Sequence, residues 1–347
     1  MRFGYYLPNQ DPPRAEHIQR LYDEVLEMVE LGDRLGYATC FASEHHGLPD
    51  GYIPSPLVLC AAAAARTTRI QLATGVMLLP LWHPIRVAED GALVDIISKG
   101  RFALGAGLGL VEREYGMYEV DIKRAPSRFE EALQIVRSAW TEDRFSFHGQ
   151  HFQLDDISVT PKPVQSPPPI WVGGMSDKSV ERAGRLGDGW LTDPLHGVEA
   201  LKHWADVYRS AASDAGRDAK VLLMRDCWIT EGDAYAEWGH LLESDWRFYF
   251  DLGFKAGRFN ADAEPWLKEL QSSADLTFDK IRANGRVLAG SVDEIKEQIA
   301  FWLDAIEPDQ FNLRFRFPLG PPHAEVKQAM ELFAQEVAPA FTEVGVA

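Results

Sequence analysis

The stretch FASEHH, residues 41–46, places a carboxylate and two imidazoles directly after an apolar run. An imidazole titrates near neutrality, so His45 with Glu44 beside it forms a candidate pair for proton transfer by general acid–base catalysis. Neighbouring residues on a strand face opposite ways, so His45 and His46 do not form a joint pair of metal ligands. A metal-dependent hydrolase would have to add His148 or His151 to Glu44 and His45, and no metal ligand is assigned. A second block, GGMSDKS, residues 173–179, follows an apolar run and opens a helix. There the backbone N–H groups of Met175 and Ser176, with the hydroxyls of Ser176 and Ser179, can grip a dianionic phosphate, while Gly173 and Gly174 let the backbone come close. A simple N-cap accounts for Ser176 but less well for two glycines and a second hydroxyl one turn on. The third block, GAGLGL, has glycines at 105, 107 and 109. It lacks the spacing of a dinucleotide fingerprint and is read as close backbone approach to a ligand.

Groups so far apart in the chain act together only if the fold gathers them. Short apolar runs predict strands at 2–8, 38–43, 69–78, 101–107, 170–174, 189–192, 221–230 and 311–317. Helical periodicity predicts helices at 14–35, 55–66, 83–97, 126–141, 177–187, 198–215, 292–305 and 323–337. Eight β runs alternating with helices predict an α/β fold of the (β/α)8 TIM-barrel type, a single domain over 1–347. In such a barrel, side chains at the carboxyl ends of the strands line the site, which is where all three blocks fall. A hairpin is expected at FSFHGQHFQL, followed by the stiff connector PKPVQSPPP. Residues 231–290 stand outside the alternation, as an insertion after strand 7 on the active-site side. Their aromatics, Trp238, Trp246, Phe248, Tyr249, Phe250, Phe254, Phe259 and Trp266, supply either a small core of their own or a lid over the site.

Composition narrows the ligand. The 347-residue chain has a formal net charge of −17, which repels phosphate backbones and anionic lipid, so neither nucleic acid nor a membrane surface is an expected partner. No apolar stretch reaches the ~18 residues of a membrane helix. Cys40, Cys60 and Cys227 are widely spaced, with no CxxC pair, and read as buried thiols. The N-terminus lacks the features of a secretory signal, so the expected location is cytoplasmic.

The blocks EHHGLPDGYIPSP, LATGVMLLPLWHPIRVAEDGALVDIISKGRFALGAGLGL and PPIWVGGMSDKSVERAGRLGDGW closely resemble the bacterial luciferase-like flavin monooxygenases, over most of residues 1–195 and again at FNLRFRFPLGPPHAEVKQAMELFAQEV. The resemblance implies an enzyme that uses reduced FMN and O2 to oxygenate a small, hydrophobic organic substrate, with the reduced flavin delivered by a separate flavin reductase. It implies that His45 acts in proton transfer beside the flavin ring, and that Gly173, Gly174, Met175, Ser176 and Ser179 hold the flavin phosphate. It also implies that a cis peptide at Gly75–Val76 lies under the ring, and that Gly107, Leu108, Trp190 and Leu191 border the same pocket. The chain departs from luciferase at Gly107, where luciferase has cysteine, and at Leu108, where it has arginine. The resemblance further implies a homodimer formed through the second and third helices, the former being the alanine-rich PLVLCAAAAARTT. Two alternatives stay open beside the hydrolase: a deazaflavin-dependent dehydrogenase of the same fold, working by hydride transfer, and a flavin-binding protein without catalysis.

Overall fold

The computed structural model describes all residues except 9, 13, 255–263 and 342–347, with only the backbone described at 249 and 252–254. Eight parallel strands form a closed ring: β1 Arg2–Tyr6, β2 Thr39–Ala42, β3 Gln71–Thr74, β4 Phe102–Gly107, β5 Ile170–Gly173, β6 Gly189–Leu191, β7 Val221–Ile229 and β8 Gln310–Arg314. Pairing of β6 with β7 and of β8 with β1 closes the barrel. The expected (β/α)8 architecture is therefore the one present.

The physical reason is visible in how the strands divide their side chains. Tyr6, Phe41, Ala73, Ala103, Trp171, Leu191 and Leu222 point inward and form an interior cluster of their own. The alternate positions, among them Tyr5, Cys40, Leu72, Leu104, Ile170, Trp190 and Leu223, face the helices and join the larger core between sheet and helix layer. Strands buried on both faces read as continuous apolar runs, which is how they appear in the sequence. The helices Ile18–Leu35, Pro56–Arg66, Pro84–Ser98, Ala125–Thr141, Asp177–Leu186, Val198–Asp214, Val292–Ile306 and His323–Leu332 provide the outer layer. The three cysteines are free and buried. Among the described residues, no helix is long and apolar enough to cross a membrane.

Three local differences from the sequence reading matter for the site. The predicted third strand is broken: β3 ends at Thr74, the Gly75–Val76 peptide is cis, and the chain resumes as Met77–Leu78 against β4. A six-residue helix, Glu112–Met117, follows β4 where no element was expected. The expected hairpin is present between them and the insertion, as Phe145–His148 paired with Gln153–Ile157. Within 231–290, the strand Val287–Gly290 extends the sheet along the outer half of β7, from Asp226 to Ile229.

The rest of that insertion carries the helices His240–Phe254 and Phe278–Ala283. Leu242, Trp246, Phe250, Leu267, Leu276, Phe278 and Ile281 pack together with Phe317 from the loop after β8. The insertion thus has its own small core. Phe248 is exposed, whereas the expectations placed on Tyr249, Phe254 and Phe259 fall on side chains outside those described. The insertion is fastened to the strand ends by polar contacts. Arg314, at the end of β8, bonds both oxygens of Asp226 on β7 and lies 3.4 Å from Asp245 of the insertion helix. Trp246 donates its indole N–H to Asp226 at 3.3 Å.

Candidate active site

His45 and Glu44 leave β2 on opposite sides, as strand geometry requires. Glu44 is 1% exposed and turned away from the barrel mouth. Its Oε2 accepts the Leu78 N–H at 2.8 Å, and its Oε1 meets the Trp82 indole N–H and the His46 Nε2, both at 2.7 Å. His46 is completed by Tyr118 at 3.0 Å on Nδ1. Glu44 therefore ties the loop after β2 to the chain after β3, and it contacts neither His45 nor the open space in front of it.

The partner of His45 comes from the short helix that the sequence did not reveal. Glu114 Oε1 accepts from His45 Nδ1 at 2.8 Å and from the His46 backbone N–H at 2.8 Å. Burial alone would raise the pKa of Glu114, but the hydrogen bonds from His45 and the His46 backbone outweigh it and hold the carboxyl below its ordinary range. An ionised carboxylate only accepts, so Nδ1 of His45 carries the proton and Nε2 is left as the basic nitrogen. The His45 side chain is 37% exposed, so that nitrogen can reach a ligand. Glu114 Oε2 is buried and has no hydrogen-bond partner among the described residues. Arg113, on the same helix, donates to the carbonyls of His46 and Gly47 at 3.0 and 2.7 Å. Tyr52 stands edge-on to His45, ring centroids 4.8 Å apart.

On the neighbouring strands, Val76 sits against two glycines. A Cβ at Gly107 would lie 2.6 Å from Val76, and one at Gly173 would lie 3.1 Å from it. Gly105 is needed for strand packing, since a Cβ there would meet the Thr74 carbonyl. These glycines thus have a reason within the chain itself, beside the approach to a ligand expected of GAGLGL. Leu108 packs between the outer core and a small cluster around Leu78 and Tyr115, and its carbonyl accepts from the Tyr115 hydroxyl.

The serine block is gathered as expected and is closed on itself. Ser176 caps the helix Asp177–Leu186 in a capping box with Ser179. The backbone N–H groups of Met175 and Ser176 both point at Ser179 Oγ, at 3.0 and 2.9 Å, and Ser176 Oγ is 2.9 Å from the same atom. Three polar groups converging on one oxygen at a helix N-terminus fit an anion: an oxygen replacing that hydroxyl would meet the same donors. Gly174 is required here, because a Cβ would lie 2.9 Å from the backbone of Ser179.

Trp190 is placed differently from the sequence reading. It is fully buried on the helix side of β6, packs against Tyr208, and donates its indole N–H to the Gly174 carbonyl at 2.9 Å. It steadies the serine loop from behind, while Leu191 is the residue that faces inward. His148 and His151 belong to the hairpin, where His148 lies 3.4 Å from Asp155 and His151 meets Ser127 at 2.7 Å. The structure does not bring them to Glu44 or His45.

Comparison with known proteins adds relatives to this geometry. Residues 1–305 match the family model described as luciferase-like monooxygenase. The chain is 28% identical to the oxygenase component of a flavin-dependent trigonelline monooxygenase from Acinetobacter baylyi, with 99% of this chain and 96% of that protein covered. It is 27% identical to an F420-dependent glucose-6-phosphate dehydrogenase from Segniliparus rotundus, over 91% of this chain and 93% of that one. The crystal structure of monooxygenase RslO1 from Streptomyces bottropensis superposes with a TM-score of 0.82 at 27% identity, covering 99% of this chain and all of that one.

Proposed function

Because the chain belongs to the luciferase-like monooxygenase family, we propose that it is the oxygenase component of a two-component system, using reduced FMN and O2 to oxygenate a small apolar substrate. The observation that carries this reading is the His45–Glu114 pair: a half-exposed imidazole at the barrel mouth, with its tautomer fixed by a buried carboxylate. When bound, the flavin supplies the redox chemistry and the reaction with oxygen. The chain's own tasks are to hold, orient and exchange protons. Met175, Ser176 and Ser179 hold the phosphate, with Gly174 allowing the approach and Trp190 bracing it from behind. Gly75–Val76, Gly107, Leu108 and Gly173 border the ring. His45 takes or gives a proton at Nε2, Glu114 holds the Nδ1 proton and so keeps Nε2 aimed outward, and Glu44 positions the loop without touching the reacting atoms.

The insertion acts as a cover that excludes water from the strand ends, anchored through Asp245, Trp246 and Arg314. A separate flavin reductase supplies the reduced cofactor, and the enzyme works in the cytoplasm as a homodimer. Dimerisation is supported by apolar residues left exposed on adjacent helices: Val58 on Pro56–Arg66, with Leu93 and Ile97 on Pro84–Ser98. The F420-dependent relative supports a second reading, hydride transfer with a deazaflavin at the same site.

One experiment separates them. FMN and deazaflavin binding are titrated on the purified chain, and oxygen uptake is followed with reduced FMN and a panel of apolar compounds. Tight FMN binding with substrate-dependent oxygen uptake supports the oxygenase. Preference for the deazaflavin without oxygen uptake supports the dehydrogenase.

A further inference from the structure

Buried tyrosine hydroxyls almost always find a partner, because an unpaired polar atom away from water is costly. In this chain Tyr5 donates to the Met28 carbonyl at 2.8 Å and Tyr37 to that of Met330 at 2.9 Å. Tyr115 donates to the Leu108 carbonyl, and the Tyr208 hydroxyl accepts from the Lys220 N–H at 3.1 Å. Tyr6 differs: the residue is 5% exposed, but its hydroxyl is neither bonded to a described residue nor one of the sealed, unpaired polar atoms, so it keeps an opening to solvent.

Its position gives that accessible hydroxyl meaning. Tyr6 is the last residue of β1, facing inward, level with Phe41 on β2 and next in register to Arg314 on β8. The ring is stacked on Phe41, centroids 4.9 Å apart and 17° from parallel. Both rings pack on Gly75, where a Cβ would lie 2.8 Å from Phe41 and 2.9 Å from the Tyr6 Cε1. The ring is therefore fixed in orientation, and its hydroxyl lies within electrostatic reach of Tyr52 and Asp193. Tyr52 in turn packs on His45, so Tyr6 and His45 serve one space at the barrel mouth. Burial, with the charge of Asp193 adding to it, pushes the phenol above its ordinary range, so it remains a proton donor at working pH.

We propose that Tyr6 orients the substrate, donating its hydroxyl to a neutral carbonyl oxygen on an otherwise apolar molecule. This rests on the oxygenase reading above and deepens it. The choice of a neutral acceptor follows from the neighbouring charges. Arg314 is shared by Asp226 and Asp245, two carboxylates on one guanidinium, whereas Asp193 is paired with His196 at 2.8 Å and lies by Arg225, so the excess negative charge is that of the Arg314 cluster. Such a wall opposes a carboxylate or phosphate on the substrate. The inward neighbours Val76, Leu191 and Met224 are apolar and suit a hydrocarbon body.

The test compares the full-length chain with Tyr6→Phe, which keeps the stacked ring and removes only the hydroxyl. Binding is measured by calorimetry, with and without FMN, for matched probes: cyclohexanone against methylenecyclohexane, norcamphor against 2-methylenenorbornane, and 2-decanone against decane, with cyclohexanecarboxylate as the anion. At least one ketone is expected to bind the wild type roughly three- to tenfold more tightly than its match, with the gap closing in Tyr6→Phe through loss of ketone affinity alone. The proposal is overturned if no ketone outbinds its match, if the gap survives the substitution, or if the carboxylate binds best. Failure of FMN to bind would sink the oxygenase reading separately, since the flavin-free titrations still report on Tyr6.

Discussion

Two carboxylates on one guanidinium make Asp245 the group most exposed to a pH test. Asp226 engages Arg314 through both of its oxygens and also accepts from the Trp246 indole, whereas Asp245 Oδ2 is 3.4 Å from Arg314 and its side chain is 10% exposed. Burial, helped by the charge of Asp226 and only partly offset by Arg314, pushes its carboxyl from the ordinary 3.8 to about 6. A raised carboxyl binds its proton more tightly folded than unfolded, so stability falls as pH rises from about 4 to about 6. At ~1.36 kcal/mol per pH unit, that rise is worth about 3 kcal/mol. Asp245→Asn imitates the protonated form at every pH. The variant should match the wild type near pH 4 and exceed it by up to about 3 kcal/mol above pH 6.5. Urea unfolding followed by tryptophan fluorescence from pH 4 to 8 measures the difference between the two, in which the other carboxylates cancel. If the Asn variant is less stable at pH 7.5, the ionised pair with Arg314 contributes more than its burial costs, and the reasoning fails.

Further expectations concern the site itself and the surface. His45→Ala should keep the fold and most flavin affinity but lose turnover; wild-type rates across pH would make His45 structural. Glu114→Gln should lower turnover by about ten- to a hundredfold, the worth of a charge-assisted hydrogen bond of roughly 1.5–3 kcal/mol, while leaving flavin affinity within about twofold. An unchanged pH–rate profile would remove Glu114 from the proton pathway. Ser176→Ala with Ser179→Ala should weaken FMN binding by at least about tenfold and leave riboflavin nearly unaffected, as titration of both flavins would reveal. Val58→Glu with Leu93→Glu should give a monomer by light scattering; an unchanged mass would place any dimer contact elsewhere.

The barrel was legible because both faces of its strands are buried and its helices carry strong periodicity, so each βα pair announces itself locally. Three features were not. The four-residue strand Val287–Gly290 lies at the end of an aromatic-rich insertion and gains its partner, β7, only from the tertiary fold. The helix Glu112–Met117 is shorter than two turns, too short for its apolar spacing to register against the glycines before it. Trp190 lies on a strand of three residues, and a run that short does not fix which face looks inward.

That second omission decided what could be read of the site. His45 and Glu44 are adjacent in sequence, which made them look like a catalytic pair, but adjacency at a strand end guarantees the opposite: one side chain faces the mouth and the other the helix layer. A carboxylate able to meet the inward histidine must come from a different loop, and here it arrives 69 residues later. Its reach depends on strand pairing, because only the pairing of β2 with β3 and of β3 with β4 brings the loops after β2 and β4 together. The residues proposed to contact a ligand were therefore legible as local motifs, His45 and the serine block above all. Those that hold them in place, Glu114 behind His45 and Trp190 behind Gly174, are set by strand register and could be found only in the folded chain.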